Sequence, residues 1–176
     1  MEKLKLIQPT PEYGEQAMEF KRELQAADSS VDGCGPLRRS ETAADWVADA
    51  ASDTDPATLR EGRVLATQFI TVRESDDRVV GFLQVRHYLN DYLAQFGGHI
   101  GYSVRPSERR KGYAKEQLRQ ALAYCKETLG LDRVLITCLT DNEGSRRTIL
   151  KCGGVYDGTV HEPDEDVDLE RYWITL

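Results

Sequence analysis

The chain has 176 residues, 40% hydrophobic and 30% charged, with a formal net charge of -7 from 23 basic and 30 acidic side chains. That length suits one domain, expected over residues 1–176, with enough chain to bury a core. The acidic balance argues against the broad basic footprint of a non-specific nucleic-acid binder, and no apolar run approaches the ~18–20 residues that cross a bilayer. The first residues, Met-Glu-Lys-Leu-Lys-Leu-Ile, lack the long apolar core and cleavage site of a signal peptide. Cys34, Cys125, Cys138 and Cys152 share no metal-ligand spacing. The expectation is a cytoplasmic protein with reduced thiols and no metal, membrane or nucleic-acid partner.

In chain order, Leu4 to Ile7 reads as a first strand, and Pro11 opens a helix with Ala17, Phe20, Leu24 and Ala27 on one face. A turn-rich loop, Asp28 to Pro36, precedes a second short helix over Thr42–Ala51, with Trp46 and Val47 facing inward. Strands follow at Val64–Arg73 and Arg78–Tyr88, joined through Ser75-Asp-Asp77 as a hairpin. Asn90 to Gly98 loops toward a fourth strand, His99–Arg105. The third helix runs from Gly112 to Leu129, with Leu118, Ala121, Leu122 and Cys125 as its stripe and Gly130 as its stop. Arg133–Leu139 has the character of a buried strand, and Thr140-Asp-Asn-Glu143 fits a capping box for a fourth helix ending before Gly153. Gly154–Val160 and Leu169–Leu176 close the fold around the acidic loop Glu162–Asp168, and Trp46 and Trp173 read as core. This order implies an α/β (α+β) fold: a mixed, mostly antiparallel sheet with a central parallel pair and helices on both faces.

One stretch stands apart, Val104 to Lys115, where a strand pattern stops and a helix pattern starts. Arg109, Gly112 and Ala114 are spaced Arg-x-x-Gly-x-Ala. A small-residue turn opening a helix offers unpaired backbone N–H groups to an anion. Arg105, Arg109, Arg110, Lys111 and Lys115 reinforce it, opposed locally by Glu108. The competing reading is a solvated basic turn. Neither a Walker-type phosphate loop nor a dinucleotide fingerprint is present, so those nucleotide enzymes are disfavoured.

The element order and Arg109-x-x-Gly112-x-Ala114 together resemble the GNAT superfamily of acetyl-CoA-dependent N-acetyltransferases. Asn142-x-x-Ser145 ahead of a helix and Gly153 is a second match, and Val104-x-Pro106 a third. The resemblance covers Arg63 to Leu176 well and the first sixty residues only in element order. It implies acetyl-CoA as cosubstrate, with its pyrophosphate on the amides of Arg110, Lys111, Gly112, Tyr113, Ala114 and Lys115. Arg109 would organise the turn, and the pantetheine arm would lie along backbone groups of Tyr102 and Val104. Asn142 and Ser145 would sit near the cosubstrate, the alternative for Asn142 being a helix cap alone. The implied chemistry is direct attack of a primary amine on the thioester, with Val104 N–H as oxyanion donor.

The chain departs from the family where a tyrosine often protonates the leaving sulfur: seven residues after Asn142 stands Ile149. Base candidates are His99 and Tyr102, on opposite faces of a regular fourth strand, each also readable as ordinary packing. His87, Tyr88 and Tyr172 are further options. The acceptor pocket is expected from Asp28–Ser40, Asn90–Gly98 and Glu162–Asp168; the last, densely acidic, is either a draw for a cationic acceptor or a solvated turn. The acceptor itself, a small molecule or a peptide or protein amine, is not chosen by the sequence. Homodimers are frequent in the resembling family. The rival reading, which Ile149 keeps alive, is a non-catalytic acyl-CoA sensor of the same fold.

Overall fold

In the computed structural model, which describes residues 2–176, strand β1 (Leu4–Ile7) leads through a proline-led turn into helix α1 (Gly14–Ala26). Helix α2 (Ala43–Ser52) is capped reciprocally: Asp45 N–H donates to the Thr42 hydroxyl and Thr42 N–H donates to the Asp45 carboxylate. Strands β2 (Ala66–Arg73), β3 (Arg78–Arg86) and β4 (Ile100–Val104) complete a sheet ordered β1-β2-β3-β4. Helix α3 (Tyr113–Glu127), strand β5 (Arg133–Leu139) and helix α4 (Glu143–Lys151) follow. Strands β6 (Val155–Glu162) and β7 (Val167–Thr175) join β5 in a second sheet ordered β5-β7-β6.

Strands β2 and β3 are buried on both faces, because successive side chains feed different layers. Phe69, Leu83 and Val85 pack with Leu118, Ala121 and Cys125 of α3, while Ile70, Val72 and Phe82 pack with Phe20, Leu24 and Trp46 of α1 and α2. The ring centroid of Phe82 lies 4.6 Å from that of Phe20 and 5.7 Å from that of Trp46. The helices thus cover both faces, as their apolar stripes require. Trp173 differs from expectation. It is half-buried, with the Arg133 guanidinium 4.2 Å over its ring and its indole N–H on Asp157.

The expected central parallel pair does not form. All five ladders among the described residues are antiparallel, and no ladder joins β4 to β5. The two sheets meet instead at one residue before β4 begins. His99 N–H donates to Leu135 O at 2.7 Å, and Leu135 N–H donates to the His99 ring Nδ1 at 2.9 Å. An imidazole therefore stands where a backbone carbonyl would continue a ladder, and the strands separate beyond it. Gly98 makes the approach possible: its φ is 66°, and a Cβ there would lie 2.5 Å from Leu135 O. The preceding Asn90–Gly98 segment, expected as open loop, contains a π-type turn over Leu93–Gly97.

Candidate active site

Where β4 and β5 part, a cleft of about 1130 Å³ opens between the start of α3, the first turns of α4 and the loop after α1. At one end the chain enters α3 through two left-handed residues, Arg110 (φ 63°) and Gly112 (φ 85°). Glu116 N–H is the first to bond back along the helix, to Gly112 O at 3.2 Å. The N–H groups of Tyr113, Ala114 and Lys115 have no side-chain cap, so the positive end of a 15-residue helix faces the cleft. A Cβ on Gly112 would touch nothing within 4 Å. Glycine is needed there for its backbone angle and leaves the approach open.

The basic run divides in two. Arg110 and Lys115 line the cleft and have no ion-pair partner among the described residues. Arg105 and Lys111 point elsewhere, contrary to the single basic cluster expected. Arg105 is fully buried against α1, beside Glu19 (3.2 Å) and Glu23 (3.5 Å) and over the Phe20 ring. Lys111 is held at 2.7 Å by Glu108, whose buried carboxylate also receives Arg73 at 2.8 Å. Glu108 therefore anchors a network behind the turn and does not oppose the anion site. The Tyr113 side chain joins that network, with its hydroxyl 3.1 Å from Arg73 Nη1. Arg109 fastens the entrance: Nε donates to Val104 O at 3.1 Å and Nη2 to Ser29 Oγ at 2.6 Å.

The alternation of the β3–β4 ladder settles what β4 presents. Arg86 N–H donates to His99 O at 2.7 Å and Arg105 N–H donates to Val80 O at 2.8 Å. In antiparallel pairing the intervening partners alternate, so the backbone groups of Ile100, Tyr102 and Val104 point away from β3, toward the cleft. Arg109 already occupies Val104 O. The N–H of Val104 and both groups of Tyr102 remain on an open strand edge, which an extended chain can join.

Tyr102 also sends its side chain across to α4, where its hydroxyl lies 2.8 Å from Ser145 Oγ. Burial pushes the phenol well above its ordinary value, against the effect of the Ser145 hydrogen bond, so it stays protonated at neutral pH. Asn142 Oδ1 accepts Ser145 N–H at 3.0 Å and is the N-cap of α4. The Thr140–Glu143 box therefore gives way to a cap two residues later. Asn142 and Ser145 also line the cleft, so the cap and the site are the same place. Ile149 is fully buried in the core. Cys138 is a thiol there, pushed up to about 11 by burial and by Glu170.

The structure brings together Tyr102, Val104, Arg109, Arg110, Gly112, Ala114, Lys115, Asn142 and Ser145 around the cleft. His99 is not among its lining residues. It is 7% exposed, its Nδ1 is engaged by Leu135, and burial, helped by the Arg86 charge, pushes its pKa down to about 4. The far end of the cleft is built from the segments expected for the acceptor, including Asp32, Arg38, Tyr92 and Phe96. In the acidic turn Asp164, Glu165, Asp166 and Asp168 are exposed, as a solvated turn requires, while Glu162 is 2% exposed and accepts Glu165 N–H at 2.6 Å.

An acetyltransferase (GNAT) domain model matches residues 4–155. The chain belongs to the GNAT acetyltransferase family. Among curated relatives, this GNAT chain is 36% identical over 63 residues to the uncharacterized N-acetyltransferase YoaA of Bacillus subtilis (strain 168), 36% of each chain. It is 27% identical over 88 residues to YnaD of the same organism, also an uncharacterized N-acetyltransferase, covering 50% of this chain and 49% of that one. The alignments thus span from about a third to half of those relatives. The fold matches Mycobacterium smegmatis RimJ in complex with CoA-disulfide at a TM-score of 0.69, with 21% identity over 98% of this chain and 81% of that one. It matches the microcin C7 self-immunity acetyltransferase MccE, in complex with acetyl-CoA and AMP, at 0.68, with 17% identity over 98% and 92%.

Some participants in this GNAT site carry no sequence signal. Ser29 lies 80 positions from Arg109, which it anchors. Arg147 and Lys151 add charge from α4 but read in sequence as ordinary helix surface. Arg86 closes a strand and resembles any strand-end cation.

Proposed function

We propose that the chain transfers an acetyl group from acetyl-CoA to a primary amine. One observation carries the reading: the open edge of β4 leads from the uncapped amides of α3 to the Tyr102–Ser145 pair within one cleft. Three chemical demands of a thioester carrier are met in sequence. The amides of Tyr113 to Lys115, with Arg110 and Lys115, suit a pyrophosphate. The free N–H and C=O of Tyr102 suit the amides of a pantetheine arm. The Val104 N–H suits the carbonyl oxygen as it gains charge, a role in which one donor is worth about 3 kcal/mol.

In this reading the neutral amine attacks the carbonyl carbon, the new C–N bond forms and the C–S bond breaks. Tyr102 gives its phenolic proton to the departing sulfur and is reprotonated through Ser145, while the amine's surplus proton passes to solvent. Tyr102 thus supplies from β4 what the family's tyrosine would supply at position 149. His99 is a positioning residue that holds the apex where the sheets meet. The sensor reading is favoured by Ile149 alone.

Thiol release from acetyl-CoA, measured with a panel of primary amines, tests the proposal. Amine-dependent turnover, lost in Tyr102→Phe, is expected. Tight CoA binding without turnover on any amine would leave the sensor.

A further inference from the structure

Arg86 ends β3 on the wall of the cleft. Its Nη1 donates to the carbonyls of Gly97 at 3.1 Å and Gly98 at 3.2 Å. Its Nη2 lies beside β4, 3.7 Å from the position a Cβ on Gly101 would take. Nε and Nη2 make no hydrogen bond to the described residues, and neither is among the sealed polar atoms that lack a partner. Among the described residues no carboxylate stands within ion-pair distance of it.

Three other arginines show what this edge ordinarily does in the same chain. Arg73 sets Nε and Nη2 on the Asp76 carboxylate at 2.8 and 2.6 Å. Arg119 does so on Glu116 at 3.0 and 2.8 Å, and Arg146 on Glu170 at 2.8 and 2.9 Å. The two parallel N–H groups match a carboxylate in spacing and direction. Arg86 lines the cleft, and its Nε and Nη2 carry no acid of the described residues. Burial pushes this guanidinium down to about 10, with Asp32 opposing and Arg63 and Arg38 adding to the shift. A cation desolvated without a counter-ion is costly, and a bound anion offsets that cost.

We propose that the acceptor amine also carries a carboxylate, received by the Nε/Nη2 fork of Arg86 and drawn in by Arg38 and Arg63 at the rim. The word acceptor rests on the transferase reading above; the carboxylate site does not. Along β4 the fork beside Gly101 lies two to three residues from Ser103 and Val104, about 7–10 Å at strand rise. That separation between amine and carboxylate fits a short ω-amino acid or a dipeptide and exceeds that of an α-amino acid. Asp32, Glu162 and Glu165 share this end of the cleft, so a zwitterion meets both signs of charge.

The test uses the wild-type protein saturated with CoA, titrated calorimetrically with N-acetyl-ω-amino acids of increasing chain length and with the matching primary amides. The acids should bind at least tenfold more tightly than the amides, with an optimum at one length. Arg86→Gln should bring the acid–amide ratio below threefold, and Arg86→Lys should keep part of it. Equal affinity for acid and amide in the wild type overturns the site, as does a ratio that survives Arg86→Gln in folded protein. Because Arg86 also ties Gly97 and Gly98, the double variant Arg38→Gln, Arg63→Gln decides if Arg86→Gln does not fold: a ratio undiminished there overturns the proposal. Thiol release on the free ω-amino acids and their amides separates the two readings. Turnover of both without preference removes the carboxylate site and keeps the transferase. Preferential binding of the acids without any turnover keeps the site and removes the transferase.

Discussion

At the α3 end of the cleft the groups on offer belong mainly to the main chain: the amides of Tyr113 to Lys115 and the open edge of β4. At the Arg86 end they are side chains, brought from the loop after α1, the end of β3, the π-type turn and the β6–β7 hairpin. The difference decides how each end tolerates change. A main-chain site survives most substitutions as long as the backbone angles hold, and it fails at the few positions that set those angles. A side-chain site can be redrawn one residue at a time, which suits the end proposed to distinguish acceptors.

The largest effect should come from Gly112→Glu. At φ 85° any Cβ brings strain of about 1–2 kcal/mol, and the carboxylate would repel the phosphates proposed at the helix end. CoA affinity is expected to fall more than 100-fold by calorimetry, with the fold retained by circular dichroism, while Gly112→Ala should lose far less. Affinity within threefold of wild type for Gly112→Glu would break the main-chain account of this end. Next comes Tyr102→Phe, which removes the proposed proton donor and keeps the ring. A fall in kcat of about 100-fold is expected from loss of a general acid, with the KM for acetyl-CoA nearly unchanged in steady-state kinetics. Ser145→Ala should be milder, because Tyr102 keeps its proton and loses only its partner. A Tyr102→Phe enzyme at full speed would return the general acid to solvent.

The same contrast explains what the sequence made legible. The α3 mouth depends on a small residue at a fixed distance from a strand end and a helix start, so Arg109, Gly112 and Ala114 mark it by spacing alone. Strand β5 is legible to the residue, since Arg133–Leu139 has the β-branched character of a buried strand between turn signals. Element order implies a parallel pair, but no ladder joins β4 to β5, and the junction holds the His99 ring against Leu135 instead, a side-chain event that no periodicity reports. Tyr102 stands out in the sequence as a base candidate, but its reach to Ser145 across 43 positions is not countable from spacing. Arg86 left no trace at all, because its meaning lies in the acid that does not face it.

A smaller effect sharpens the comparison from the cation side. Lys115 lines the cleft, is exposed and has no ion-pair partner among the described residues, so Lys115→Ala should weaken CoA only about fivefold, in line with the ~1 kcal/mol of an exposed charge pair. That loss should shrink further in high salt, because screening acts on the side chain and spares the backbone amides. A loss approaching that of Gly112→Glu would mean that side chains dominate both ends.

The smallest effect concerns the apex between the ends. His99 accepts Leu135 N–H through Nδ1, which requires a neutral ring. Its pKa is depressed from the ordinary 6.5 to about 4 in the fold, by burial first and by Arg86 second. Its contribution to stability is therefore fully present above pH 6.5 and is lost as the pH falls toward 4, because the unfolded chain binds the proton first. Linkage over that window gives a loss of roughly 1 kcal/mol by pH 5.5. His99→Asn keeps an acceptor for Leu135 N–H and removes the titration. Between pH 7.5 and 5.5 the melting temperature of the wild type should fall by several degrees more than that of His99→Asn, whatever the carboxylates contribute to both. A bound carboxylate on Arg86 should reduce the difference, since it neutralises the charge that helps depress His99. Parallel pH profiles for the two proteins would mean that the ring is not what joins the sheets, and that the two ends of the cleft are held apart by packing alone.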